Sequence, residues 1–132
     1  MTMIVLDHTI LRVRNAARAV DFYTQVLGFS HEGQMGPFDV VRVNDTFTLD
    51  LREVDELQSE HLAFSMDRAL FDTIHARLVE RGIAYGGSPF DRRSGQVGQS
   101  FGARGMAASI YFDDPDGHAL EIRAYPDPTA TA

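Results

Sequence analysis

The order of segments repeats within the chain, and this repeat is what most restricts the possible fold. In each half, an apolar strand is followed by an amphipathic helix, a glycine that ends the helix, and a run of strands. His8 and His61 lie in the first strands of the two halves, at almost the same distance before Gly28 and Gly82. This pattern predicts an internal duplication of a βαβββ unit.

Each half also carries a carboxylate in its last strand. Asp50 and Glu121 each lie between two aliphatic residues. Successive side chains of a strand point to opposite faces, so both carboxylates face away from their apolar neighbours. Equivalent strands of the two units would then place His8, His61, Asp50 and Glu121 on equivalent faces.

The first half is predicted to begin with a strand from Ile4 to Val13. Asn15 is a good N-cap for a helix that runs from Ala16 to Leu27, because its side chain can accept a backbone N–H. A three-stranded meander follows at Phe29–Glu32, Asp39–Asn44 and Thr46–Arg52.

The second half repeats this order, with a strand from His61 to Met66 and a helix capped by Asp67 that runs to about Arg81. The region from Gly86 to Gly105 is rich in glycine, serine and arginine, which predicts a long loop that can serve as a lid. The half closes with a hairpin, whose predicted parts are strand Ser109–Phe112, turn Asp114–Gly117 and strand Ala119–Ile122.

Composition excludes several classes of function. A net charge of −7 argues against a nucleic-acid partner, and no apolar run reaches the length of a membrane span. The start of the chain lacks the pattern of a signal peptide, so we expect a cytoplasmic protein. The absence of cysteine and lysine excludes thiolate metal sites, cysteine nucleophiles and Schiff-base lysines.

Four stretches resemble the vicinal oxygen chelate superfamily, which includes glyoxalase I, fosfomycin-resistance transferases, extradiol dioxygenases and bleomycin-resistance proteins. They are Leu6–Val13, Asp21–Phe29, Glu60–Phe64 and Tyr111–Glu121. The resemblance implies one α+β domain of two tandem βαβββ modules. These modules would form a curved, partly closed mixed sheet around a metal cavity, with the helices outside. The modules would span about residues 1–55 and 60–126, followed by a frayed tail at 127–132.

The resemblance also implies a metal site. Its metal-dependent members bind one divalent ion through residues that correspond here to His8, His61 and Glu121. Two imidazoles and one carboxylate leave open positions on such an ion, which can then polarise substrate oxygens. The residues do not distinguish iron, manganese, nickel, cobalt and zinc.

Asp50 is the open question of this site. Glyoxalase-like members carry a fourth ligand, normally glutamate, on the equivalent strand. The shorter aspartate can bind the metal, act through a water, serve as a general base or orient a neighbour. We predict Asp50 and Glu121 as the catalytic carboxylates.

Several other residues are candidate substrate contacts. Ser109 and Tyr111 share a strand face that we expect to line the cavity. Arg12 and Arg123 lie on the strand faces of the predicted ligands, and Arg104 lies in the glycine-rich region. An arginine there can meet an anionic substrate with its planar guanidinium.

The favoured function is glyoxalase-like lyase or isomerase chemistry on a small oxygen-rich molecule. An extradiol-type dioxygenase and a fosfomycin-type thiol transferase are the alternatives within the superfamily. A metal-free drug-binding protein is the alternative from another class, and the acidic charge suits it. The resemblance also implies a homodimer.

Overall fold

The computed structural model describes residues 3–127, so the last five residues of the predicted tail lie outside it. The chain divides into two compact units, Met1–Glu60 and His61–Ala132. Each unit has its own mixed sheet and its own helix. The predicted α+β fold is therefore confirmed.

The first unit is a four-stranded sheet with one helix packed on it. Its strands stand in the order β1-β4-β3-β2, with β1 parallel to β4 and the other pairs antiparallel. The helix α1 contacts β2, β3 and β4. The elements are β1 (His8–Val13), α1 (Ala16–Gln25), β2 (Ser30–Met35), β3 (Phe38–Asn44) and β4 (Phe47–Glu53).

The predicted cap of the first helix is confirmed, but the predicted start of the first strand is wrong. Asn15 Oδ1 accepts a hydrogen bond of 2.9 Å from the Arg18 backbone N–H. Strand β1 begins at His8 rather than Ile4, because its partner in the ladder is Thr48 and β4 itself begins only one residue earlier. The apolar side chains of Ile4 and Leu6 are consequently exposed.

The second unit has the same core arrangement and one additional strand. Its sheet runs β5-β9-β8-β6, with β5 parallel to β9 and β7 paired to the first half of β8. The elements are β5 (His61–Ser65), α2 (Arg68–Glu80), β6 (Tyr85–Gly86), β7 (Gly98–Gly102), β8 (Gly105–Asp113) and β9 (Ala119–Ala124). Asp67 caps α2, as predicted, by accepting from the Leu70 N–H at 2.8 Å.

The prediction of a continuous loop from Gly86 to Gly105 is wrong. Strand β7 lies within this region and forms an antiparallel hairpin with β8. Its sequence is polar and glycine-rich because the backbone is crowded. A Cβ atom on Gly98 would lie 2.0 Å from the Gly87 carbonyl oxygen. Glycine here serves a close approach of two backbones, which a search for apolar alternation does not detect.

The duplication extends to the strand register. In the first unit Asp50 pairs with Ile10, two residues after His8. In the second unit Glu121 pairs with Ala63, two residues after His61. Each histidine therefore shares a sheet face with a carboxylate on the neighbouring parallel strand, at the same offset.

Among residues 3–127, neither helix has the length and apolarity that a membrane-spanning segment needs.

Candidate active site

A cavity of about 310 Å³ lies on one face of the second unit's sheet. Strands β5 and β9 supply its polar wall, and the hairpin between β7 and β8 supplies its rim. Its lining residues are His61, Ala63, Ser65, Phe101, Gly102, Ala103, Glu121, Arg123 and Tyr125.

His61 presents an acceptor nitrogen toward Glu121. Its Nδ1 lies 3.1 Å from the carbonyl oxygen of Ala119, and a carbonyl can only accept, so Nδ1 carries the hydrogen. In the neutral ring, the lone pair is then on Nε2, which lies 3.4 Å from Glu121 Oε1. A metal ion between these two atoms, or a second proton on the ring, would make this contact favourable.

This donor set fits a divalent metal. Metal-binding histidines commonly donate their second ring N–H to a backbone carbonyl, which fixes the ring and its tautomer. An imidazole nitrogen and a carboxylate oxygen are ligands for the common transition metals. His61 and Glu121 therefore have the chemistry and the orientation of two ligands.

Glu121 is buried and divides its two oxygens between different partners. Its side chain is 6% exposed. Oε2 accepts a hydrogen bond of 2.5 Å from Arg123 Nη1, with Ser100 Oγ 3.4 Å away. Oε1 faces His61. The carboxylate is thus held by one oxygen and presents the other to the cavity.

Arg123 is almost completely buried, at 5% exposure. Its guanidinium also donates to the hydroxyls of Ser100 and Tyr125 and to the carbonyls of Ser100 and Gly105. Burial by itself lowers the pKa of Arg123, but its bonds to Glu121 and Tyr125 outweigh burial and leave that pKa raised. Arg123 is therefore a fixed cation that joins β9 to the β7–β8 hairpin.

Tyr125 is a cavity residue that the sequence interpretation missed. Its hydroxyl oxygen accepts from the Arg104 backbone N–H at 3.1 Å and from Arg123 Nε at 3.3 Å. The Arg104 guanidinium lies 4.2 Å from the centre of its ring. The bond from the Arg104 backbone N–H chiefly lowers the pKa of the Tyr125 phenol, burial opposes this, and Arg123 lowers the pKa further. No motif marks Tyr125, because its position depends on the β7–β8 hairpin.

Tyr111 and Ser109 lie on the same sheet face as Glu121, and both are buried. Tyr111 is opposite Glu121 in the ladder, and its ring is nearly parallel to that of His61 with centres 6.4 Å apart. Ser109 is fully buried, with its Oγ 2.7 Å from Ser100 Oγ. Ser109 therefore contacts the partner of Arg123 rather than the open cavity.

The first unit contains the other predicted site residues. His8 Nδ1 lies 2.7 Å from Asp7 Oδ2, and this bond raises the pKa of His8 against the effect of desolvation, with a further contribution from the charge of Asp50. Asp50 Oδ1 accepts from the Thr48 hydroxyl at 2.9 Å. Arg12 is exposed and pairs with Arg52 in the ladder.

The three predicted metal ligands are divided between the units. His61 and Glu121 come together in the second unit, and His8 belongs to the first. Within either unit, residues 3–127 contain no group of three or more histidine and carboxylate side chains placed to hold a metal ion.

Three known proteins are similar to this chain over most of its length. The chain is 28% identical over 130 residues to the metallothiol transferase FosB of Shouchella clausii, covering 89% of this chain and 77% of that protein. The solved structure of oxidase ChaP-H2 has a TM-score of 0.84 and 30% identity, covering 98% of this chain and 100% of that one. Oxidase ChaP-H1 has a TM-score of 0.82 and 31% identity, covering 94% and 98%.

A family profile also matches residues 5–122, nearly the whole chain. All four sequence stretches that carry the resemblance fall within this range. The chain belongs to the Glyoxalase/Bleomycin resistance protein/Dioxygenase superfamily.

Proposed function

We propose that this protein is a divalent-metal-dependent enzyme that acts on a small oxygen-rich substrate. The proposed ligands are His8, His61 and Glu121. The observation that carries the proposal is the 3.4 Å approach of His61 Nε2 to Glu121 Oε1, with Nδ1 already bonded to a carbonyl. When bound, the metal would polarise substrate oxygens as a Lewis acid.

The same observation argues against a metal-free drug-binding protein. A cavity that only sequesters a cationic drug gains nothing from an imidazole whose lone pair faces a carboxylate. The carboxylate in this cavity is, in addition, already paired with the buried Arg123. The second unit's cavity is therefore poorly suited to attract a cation by acidic charge alone.

Oxidation is the reaction we favour within the superfamily. Two histidines and one carboxylate with open positions are the ligand set of non-haem iron oxygenases. Two similar solved structures are called oxidases, and both match this chain over nearly their whole length. Tyr125 lines the cavity and would contact a substrate there, and the buried Tyr111 would support the ring of His61.

A glyoxalase-like lyase or isomerase is the second candidate, and Asp50 is the observation that favours it. Asp50 occupies the position in the first unit that Glu121 occupies in the second. In this role it would be a fourth ligand or the base that moves a proton between adjacent carbons. A thiol transferase is the third candidate, because of the similarity to FosB.

Metal analysis of the purified protein tests the proposal. We expect about one divalent ion per chain, and loss of that ion in His8→Ala, His61→Ala and Glu121→Ala. His75→Ala is the control, since His75 is bonded to Tyr85 in another part of the second unit. Retention of the metal by all three ligand variants would refute a metal site built from these residues.

A substrate screen then separates the reactions. Iron-loaded protein should consume oxygen with catechol-type substrates if it is an oxidase. Turnover of a 2-oxoaldehyde with a thiol would instead indicate the glyoxalase-like reaction, and thiol addition to fosfomycin would indicate the transferase.

We also propose a homodimer, on the basis of the superfamily resemblance. Exposed apolar side chains at Met3, Ile4 and Leu6 support a partner surface, because isolated domains rarely expose such a run. Light scattering during size exclusion should give twice the mass of 14.7 kDa. The cytoplasmic location stays a prediction.

A further inference from the structure

The buried ion pair of Glu121 and Arg123 has consequences for what the site can bind. Both side chains are 6% exposed, and Nη1 and Oε2 are 2.5 Å apart. Arg123 and Ser100 Oγ both approach Oε2, so Oε1 is the oxygen that faces His61 and the cavity. A guanidinium also offsets the negative charge that a metal would otherwise meet.

Arg123 is too firmly held to release Glu121 easily. Its three nitrogens all donate, and their acceptors besides Glu121 lie in the β7–β8 hairpin and at Tyr125. Gly102 packs against the remaining side of the Arg123 guanidinium. A Cβ atom there would lie 2.4 Å from Nη2, which means that the guanidinium packs directly against the glycine backbone.

We propose that Arg123 is a positioning residue that reserves one oxygen of Glu121 and cancels its charge, so that the metal-loaded site prefers anionic substrates to neutral ones. This inference rests on the proposed function. Because Arg123 balances the charge of Glu121, this ion pair contributes no net charge to the site. A divalent ion there keeps its own positive charge, which an anionic oxygen substrate can neutralise.

Titration of metal-free protein with Mn²⁺ tests the first part of the proposal. Arg123→Gln should bind Mn²⁺ more tightly, by on the order of tenfold, because Glu121 regains a second oxygen and its full charge. Arg81→Gln is the matched control: it makes the same chemical change in the second unit, at an exposed arginine at the C-terminal end of α2 that does not line the cavity. We expect its affinity to stay within about twofold of wild type, since exposed charges interact weakly.

Inorganic phosphate tests the second part. Phosphate should bind manganese-loaded Arg123→Gln on the order of tenfold more weakly than loaded wild-type protein, because the loaded site has lost one positive charge. Arg81→Gln should again resemble wild type. Equal phosphate binding by loaded Arg123→Gln and wild type would overturn the preference for anions.

Glu121→Gln distinguishes failure of the proposed metal site from failure of the role given to Arg123. If this variant binds Mn²⁺ as well as wild type, the proposed metal site fails and the inference fails with it. If Glu121→Gln loses Mn²⁺ but Arg123→Gln binds it no more tightly than wild type, the metal site stands and the role given to Arg123 is wrong. If Arg123 only supported the fold, Arg123→Gln would bind Mn²⁺ more weakly than wild type, as Glu121→Gln does.

A measurement on the wild-type protein covers the case in which Arg123→Gln does not fold. In a crystal structure with Mn²⁺, one Glu121 oxygen should bind the metal while the other keeps its hydrogen bond to Arg123. Coordination of the metal by both oxygens would overturn the proposal.

Discussion

Strand β4 of the first unit and strand β9 of the second contain the same short pattern: a carboxylate, an aliphatic residue and an arginine. The arginine has different surroundings in the two units. Asp50-Leu51-Arg52 in β4 corresponds to Glu121-Ile122-Arg123 in β9. Arg52 is exposed, whereas Arg123 is buried and bonded to its carboxylate.

The residues opposite these arginines explain the difference. In the ladder Arg52 pairs with Phe38, a bulky apolar side chain. Arg123 pairs with Ser109, whose hydroxyl joins that of Ser100. Two small hydroxyl residues and Gly102 leave a polar space the size of a guanidinium. A local pattern thus becomes a buried ion pair only where the neighbouring hairpin leaves room and acceptors for it.

The largest difference between Arg123 and Arg52 should be in their contributions to the free energy of unfolding. Arg123→Ala should lower the free energy of unfolding by about 3–5 kcal/mol, because it leaves the Glu121 carboxylate buried without its counter-charge. Arg52→Ala, at the equivalent exposed position, should change it by no more than about 0.5 kcal/mol. Urea denaturation measures both, and equal losses would mean that the burial of Arg123 is energetically unimportant.

The next contrast is in metal affinity. Glu121→Gln should weaken Mn²⁺ binding by on the order of 100-fold or more, since loss of an outer partner alone costs about 10–100-fold. Asp50→Asn should weaken it by less than about threefold if three ligands are sufficient. Equilibrium dialysis distinguishes the two. A large loss for Asp50→Asn would make Asp50 a ligand and favour the glyoxalase-like reaction.

A smaller effect is expected from the hairpin glycine. Gly102→Ala should cost about 1–3 kcal/mol of unfolding free energy, because the added methyl group meets the Arg123 guanidinium. Met35→Ala, at the equivalent end of β2 and exposed, should cost no more than about 0.5 kcal/mol. The cost of Gly102→Ala should nearly vanish in an Arg123→Ala background, and an additive double variant would contradict this explanation.

The smallest effect concerns His8, which differs from His61 in its Nδ1 partner. Asp7→Asn should lower the pKa of His8 toward its ordinary 6.5, because the hydrogen bond that His8 donates to Asp7 is the main cause of its rise. A raised pKa favours the folded state below the unfolded pKa, and this benefit disappears as pH rises through the folded pKa. Proton NMR of the ring measures the change, and an unaltered titration would exclude Asp7 as the cause.

Local signals in the sequence were sufficient for much of the fold. Asn15 and Asp67 cap the helices, and the Asp114–Gly117 turn joins the last two strands, because each depends on contacts within a few residues. The approach of His61 to Glu121 follows from strand alternation and the repeat. The features that the sequence did not predict depend on contacts between residues that lie far apart in the chain. Strand β7 is specified by close backbone packing, and the burial of Arg123 and the position of Tyr125 depend on β7 in turn.

The turn between β8 and β9 sets the direction of a ring that is not part of it. The Asp114 carboxylate accepts the backbone N–H groups of Asp116 and His118 at 2.9 Å, which fixes where β9 starts. The first residue of β9 is Ala119, whose carbonyl decides which nitrogen of His61 carries the hydrogen. By fixing the start of β9, the Asp114 carboxylate also sets the position of the Ala119 carbonyl. The turn between β8 and β9 therefore determines which nitrogen of His61 carries the hydrogen.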